Sequence, residues 1–149
     1  MMLLCFTLAE ARYAIGMDHV REVVPRLLLT PLPGVTAPIV GAFSYRGVPV
    51  PVIDLRARLG QPTRRPERDD HFLIVQTARR TVALVVDRVE GMRSGSIEEM
   101  VAAPFPSPSI AGIVPLPDGL LLVYDLDAAL SLEEERAIEA GMQALDAPA

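Results

Sequence analysis

The residues in this sequence with chemistry to offer are two histidines, a single cysteine and two recurring pairs of aspartates. His19 and His71 could ligate a metal or move protons. Neither falls in an H-x-x-x-H or H-E-x-x-H pattern, so each reads as a surface or strand-end residue. Cys5 is the only cysteine, which excludes an internal disulfide and a cysteine-cluster metal site. It lies in the apolar run Leu3–Leu8 and reads as a small buried hydrophobe. Asp18 and Asp87 hold matching places in two similar stretches, as do Asp54 and Asp125, each of which precedes a leucine at a strand end. Capping of a following turn accounts for both pairs, and their placement in different halves argues against a carboxylate dyad. The glycines form neither a G-x-x-x-x-G-K-[ST] phosphate loop nor a dinucleotide G-x-G-x-x-G. The sequence therefore assigns no catalytic residue, no metal ligand and no cofactor site.

Arg46 stands apart from these. It sits on a turn between Tyr45 and Gly47, in an apolar segment whose nearest acidic residue along the chain is Asp54. One reading is a solvated turn arginine. The sharper one is an interaction hot spot, a guanidinium and an aromatic ring beside a glycine-opened backbone.

The element that positions this turn is the stretch Ile39–Gly60, IVGAFSYRGVPVPVIDLRARLG, around which the chain is organised. Val48–Ile53 reads as a strand closed by Asp54-Leu55. Pro49 and Pro51 cannot donate backbone hydrogen bonds, so the strand must lie at an edge or turn those positions away from its neighbours. Upstream, Leu3–Leu8 and Tyr13–Met17 read as a hairpin. Asp18 caps a helical turn running through Val23-Val24 to Pro25, and Leu27–Leu29 reads as a third short strand. Residues 61–70, QPTRRPERDD, read as an exposed linker or long loop.

Beyond residue 70 the pattern restarts. Leu4–Val20 aligns without a gap on Leu73–Val89, displaced by 69 residues, and Ile39, Gly41, Asp54 and Leu55 recur as Ile110, Gly112, Asp125 and Leu126, displaced by 71. A turn at Pro117-Asp118-Gly119 matches the one at Arg46-Gly47. Two blocks repeated in one order predict two related five-stranded halves, each too small to bury a good core alone. Closing each sheet into a small barrel would remove exposed edges, and an end strand can cross between halves. The expected fold is mainly β, two five-stranded SH3-like barrel subdomains sharing a core, with short helical turns and a C-terminal helix. Ser131 and Glu134 have capping-box spacing for that helix, and Ile138, Met142 and Leu145 form its apolar stripe, facing either the barrels or a partner.

Composition limits the partners. At 149 residues and 50% apolar content the chain suits one domain over residues 1–149. A net charge of −5, with all 14 basic residues arginine, argues against a nucleic-acid partner. No basic leader segment opens the chain and no run reaches the ~18 apolar residues needed to span a bilayer. A cytoplasmic protein without direct membrane insertion is expected.

The blocks FTL…YAIGMDHVREVV, LP…IVGAFSYRGVPVPVIDLRARLG, LVVDRVEGM and IAGIVPL…GLLLVYDLDAAL together resemble the CheW family of chemotaxis coupling proteins, in order and over nearly the whole chain. The resemblance implies two SH3-like barrels and a non-catalytic adaptor, recruited to membrane receptor arrays. Its implied partners are the cytoplasmic tip of a methyl-accepting chemoreceptor and the regulatory domain of a CheA-type histidine kinase. By the same resemblance Val20, Glu22, Tyr45, Arg46, Gly47 and Val86 are receptor-binding residues. The family's Asn-Leu-Arg-Gly docking turn stands here as Ser44-Tyr45-Arg46-Gly47, keeping Arg-Gly and losing Asn-Leu. Two alternatives stay open on the sequence: a related pathway controlling pili, gliding or surface growth, and a small-ligand domain using the cleft between the barrels.

Overall fold

The computed structural model describes residues 1–95, 99–103, 109–128 and 130–146. Along these the chain forms β1 (Met2–Leu8), β2 (Ala11–Gly16), β3 (Val20–Pro25), β4 (Ile39–Tyr45), β5 (Val48–Asp54), α1 (Leu55–Arg58), β6 (His71–Gln76), β7 (Thr81–Val86), β8 (Arg88–Ser94), β9 (Ile110–Leu116), β10 (Gly119–Tyr124) and α2 (Leu132–Asp146). β6 begins 69 residues after β1, and β9 and β10 begin 71 after β4 and β5, so the duplication holds in three dimensions.

The strands form two five-stranded sheets, ordered β8-β1-β2-β10-β9 and β3-β6-β7-β5-β4. Replacing each strand by its repeat converts one order into the other. More than an end strand crosses over: each half lends its first hairpin to the sheet built from the other half's remaining strands. Each lent hairpin is seamed on both sides, by a parallel pair, β2 with β10 or β5 with β7, and by an antiparallel pair, β1 with β8 or β3 with β6. The other pairs are antiparallel: four hairpins closed by the short turns at 9–10, 46–47, 77–80 and 117–118, and the two long-range pairs β1 with β8 and β3 with β6.

Alternation along each strand divides the apolar residues between two faces. Leu4, Phe6 and Leu8 of β1 enter a core shared by the two sheets, where Leu4 and Leu73, Ile15 and Leu84, and Leu55 and Leu126 are repeat-related pairs. The opposite faces carry separate clusters: Phe43, Val50, Val52 and Phe72 in one sheet, and their equivalents Val114, Leu121, Val123 and Leu3 in the other. Each fully buried leucine or isoleucine contributes about 1.5–3 kcal/mol by leaving water.

Neither sheet closes by a continuous ladder among the described residues. Each is instead tied by one antiparallel bridge, Thr30 with Ala42 and Val101 with Ile113, each made of two N–H···O bonds of 2.8 Å. The repeated glycines serve these ties. A Cβ on Gly41 would stand 2.8 Å from the Thr30 carbonyl oxygen, and one on Gly112 would stand 2.9 Å from the Met100 side chain.

Several expectations change. Of the two arrangements open to the prolines of β5 the edge is not used: β5 is an inner strand, and its pairing with β7 starts only at Val52, past both prolines. The helical turn expected from Asp18 to Val24 is confined to a 3-10 turn over Met17–His19, because Val20–Pro25 instead pairs with β6 as a strand. Leu27–Leu29 is not a strand, the bridge at Thr30 being the only pairing in that segment. Residues 61–70 are exposed for the most part, yet Asp70 is buried and Arg64 half-buried, so the segment is anchored. Cys5 is half-buried and packs against the cluster that includes Leu3 and Ala14.

The capping box of α2 forms as expected, Ser131 Oγ accepting from the Glu134 N–H and Glu134 accepting from the Ser131 N–H. Ile138 is fully buried and Met142 half-buried against Leu32, Ile39 and Ala42, while Leu145 is exposed.

Candidate functional site

The hairpin of β4 and β5 turns on two residues, Arg46 at φ +52° and Gly47 at φ +81°. Positive φ at both central positions matches the twist of the flanking strands and gives the tightest hairpin. Gly47 adopts it freely, whereas a residue with a Cβ pays roughly 1–2 kcal/mol. Arg46 therefore occupies a place that backbone preference alone would not choose for it.

Its guanidinium carbon lies 5.2 Å from the centroid of the Tyr45 ring, a cation–π contact worth about 0.5–1 kcal/mol at an exposed site. Nη2 of Arg46 is 4.0 Å from Oε1 of Glu22, with the side chains 76% and 41% exposed. At that separation and exposure the pair adds little stability. Its value is geometric. Glu22 is on β3 and Arg46 follows β4, the two outermost strands of one sheet, so only the curl of the sheet brings them together. Separation along the chain concealed this acidic neighbour.

The other proposed residues fall elsewhere. Val20 is half-buried and packs on the shared core. Val86 is fully buried in that core and offers no surface to a partner; the resemblance placed it on a facing strand, but alternation along β7 turns it inward. The structure thus gathers Glu22, Tyr45, Arg46 and Gly47 at one exposed turn, and leaves Val20 and Val86 to the shared core.

Asp54 and Asp125 cap as expected, accepting from the Arg56 N–H at 3.1 Å and the Asp127 N–H at 3.0 Å. Asp18 and Asp87 do not. Asp18 is largely exposed, 3.9 Å from the His19 ring, and makes no side-chain capping bond. Asp87 is the single residue between β7 and β8, where the chain passes from one sheet to the other. Its carboxylate accepts from the Ala9 N–H at 2.7 Å, from the Arg56 guanidinium and from Arg64 at 3.0 Å. Arg64 also reaches Asp70 at 2.6 Å, which anchors the 61–70 segment. Burial pushes the Asp87 carboxyl up, but the Arg56 hydrogen bond, the Ala9 N–H and the two arginine charges outweigh it and hold the group below its ordinary value. Sequence reasoning missed this cluster because Arg56 has no basic counterpart, Asp127 standing 71 residues on.

A cavity of about 600 Å³ is lined by Leu27, Leu29, Phe72, Val85, Arg56 and Arg64 among others. Phe72 and Val85 belong to one sheet's own cluster, so this is not the cleft between barrels that a small-ligand domain would use. Among the described residues no group of three or more His, Cys, Asp or Glu side chains is placed to hold a metal ion, and no helix is long and apolar enough to cross a membrane.

Paired five-stranded sheets around a shared core, with Glu22, Tyr45 and Arg46 presented at an exposed turn, make this a duplicated β scaffold rather than a catalytic pocket. The chain belongs to the CheW family: the family model of the CheW-like domain matches residues 2–134. It is 25% identical over 140 residues to the chemotaxis protein CheW of Rhizobium meliloti (strain 1021), covering 91% of this chain and 90% of that one. Against the chemotaxis protein CheW of Bacillus subtilis (strain 168) it is 29% identical over 140 residues, with the same coverage of 91% and 90%. The crystal structure of the scaffolding protein TtCheW from Thermoanaerobacter tengcongensis matches with a TM-score of 0.82 at 26% identity, over 89% of each chain.

Proposed function

We propose that this chain is a non-catalytic chemotaxis coupling adaptor, joining the cytoplasmic tip of a methyl-accepting chemoreceptor to the regulatory domain of a CheA-type histidine kinase. It works in the cytoplasm, recruited to membrane receptor arrays, and the whole of residues 1–149 serves as one such domain. The observation that carries the reading is the family match over residues 2–134, which includes the turn where Arg46, Tyr45 and Glu22 converge.

A receptor tip is a helical hairpin, so docking is helix-on-groove recognition, with apolar contacts for affinity and the Arg46–Glu22 surface for orientation. Tyr45 replaces the leucine of the family turn and supplies a ring on which Arg46 rests, which gives receptor choice a structural handle. An adaptor of this kind acts by shifting its kinase between states, which requires no chemistry of its own.

The experiment is reconstitution. The purified protein, added to kinase and receptor signalling fragment, raises or lowers autophosphorylation and does nothing to nucleotide alone. Nucleotide hydrolysis by the chain itself, abolished by a point change in a polar cluster, would refute the reading.

A further inference from the structure

The α2 helix covers a narrow apolar groove. β4 and the preceding loop contribute Leu32, Ile39 and Ala42, all buried, and the helix returns one fully buried side chain, Ile138, with Met142 half-buried beside it. Gly141 lets the helix come close: a Cβ there would stand 2.8 Å from the Pro33 carbonyl oxygen. Two arginines flank the groove and hold the acidic side of the helix. Arg58 pairs with Glu134, and Arg80 pairs with Glu135 at 2.7 Å and Glu139 at 3.3 Å.

Leu132 and Leu145 are exposed. A helix of 15 residues with glycine in its interior is marginal on its own, so its order depends on this seat. The match to the family model ends at residue 134, inside the first turn of α2, so the body of the helix lies beyond the matched region.

We propose that α2 is a tethered, exchangeable occupant of a helix-binding groove, and that the groove also takes a partner helix of the same chemistry. Such a helix carries large apolar residues at i and i+4, a small residue at i+3, and acidic residues at i−4, i−3 and i+1 to meet Arg58 and Arg80. These are the positions of Ile138, Met142, Gly141, Glu134, Glu135 and Glu139. The pattern is helix-in-groove recognition with charge complementarity at the rim. A tethered ligand acts at an effective concentration on the order of millimolar, so a free helix gains the groove only where the tethered one is weakened or the competitor fits better.

The test uses the full chain and a fluorescent synthetic peptide of residues 131–146, titrated by anisotropy against wild type, Ile138→Glu and Gly141→Leu. Both substitutions disable the tethered helix and leave the groove residues untouched. The expected result is peptide binding at least tenfold tighter to either variant than to wild type, with strand content unchanged by circular dichroism and binding lost on Arg80→Glu in the variant background. A peptide carrying Gly141→Leu should bind none of the proteins. Equal binding to wild type and variants would overturn the proposal, as would a folded variant that does not bind. Loss of both sheets in both variants would also overturn it, since α2 would then be an integral part of the core.

Discussion

Arg56 and Asp87 form an ion pair that fastens the short helix after β5 to the joint between β7 and β8. Both side chains are mostly buried, and Arg64 and the Ala9 N–H converge on the same carboxylate. Removing one partner leaves buried charge uncompensated, so Asp87→Ala should cost about 3 kcal/mol. The equivalent change at exposed Asp18 should stay within ~0.5 kcal/mol. Urea denaturation of the two variants measures the contrast, and similar losses at both sites would show that the repeat position, rather than the ion-pair cluster, governs stability.

The same cluster sets an acid limit. Asp87 is held below its ordinary value of 3.8, so its stabilisation is fully present above that pH and is lost as pH falls through the lower folded-state value. Glu134, held down by the Ser131 N–H and Arg58 against the upward push of burial, acts in the same direction. The stability gap between wild type and Asp87→Ala should therefore be constant near neutrality and narrow below about pH 4. A gap that persists unchanged to strong acid would remove the electrostatic explanation.

Arg46→Glu separates docking from folding. The side chain is exposed and its pairing with Glu22 weak, so melting should shift little, within ~0.5 kcal/mol. Binding to a receptor signalling fragment should weaken ten- to a thousandfold, the scale of several kcal/mol for a reversed interfacial charge. Titration with the kinase regulatory domain should be almost unaffected. Equal losses toward both partners, or a lowered melting temperature that tracks them, would make Arg46 a structural residue.

The two bridges differ in what a methyl group would strike. At Gly41 it meets backbone oxygen, which cannot move aside; at Gly112 it meets the flexible Met100 side chain. Gly41→Ala should cost about 1–3 kcal/mol, and Gly112→Ala clearly less. Thermal melts decide the order, and a reversed ranking would mean that the Thr30–Ala42 tie does not hold its sheet.

Much of this was legible in the sequence, for identifiable reasons. Short, β-rich apolar runs marked β1, β2, β6 and β7, and the offsets of 69 and 71 announced the duplication. Val20–Pro25 misled because Asp18 resembles a helix cap and a short run of valines has no decisive period; pairing with β6 overrode the local signal. Leu27–Leu29 misled because three leucines resemble a strand even where the backbone makes no ladder. The Arg46–Glu22 approach and the Asp87 cluster depend on curl and on contacts between distant segments, which no local pattern records. Nor does a repeat say which copy of a hairpin joins which sheet.

That hairpin exchange governs how the chain can be assembled. During synthesis β1 and β2 emerge well before β8 and β10, the strands that flank them, so the first sheet waits with both sides open until the chain is nearly complete. Cutting the chain within residues 61–70 would not release two independent modules. Each fragment would lack strands that only the other carries, and the two would regain the fold only together, as complementary pieces of one interlocked body.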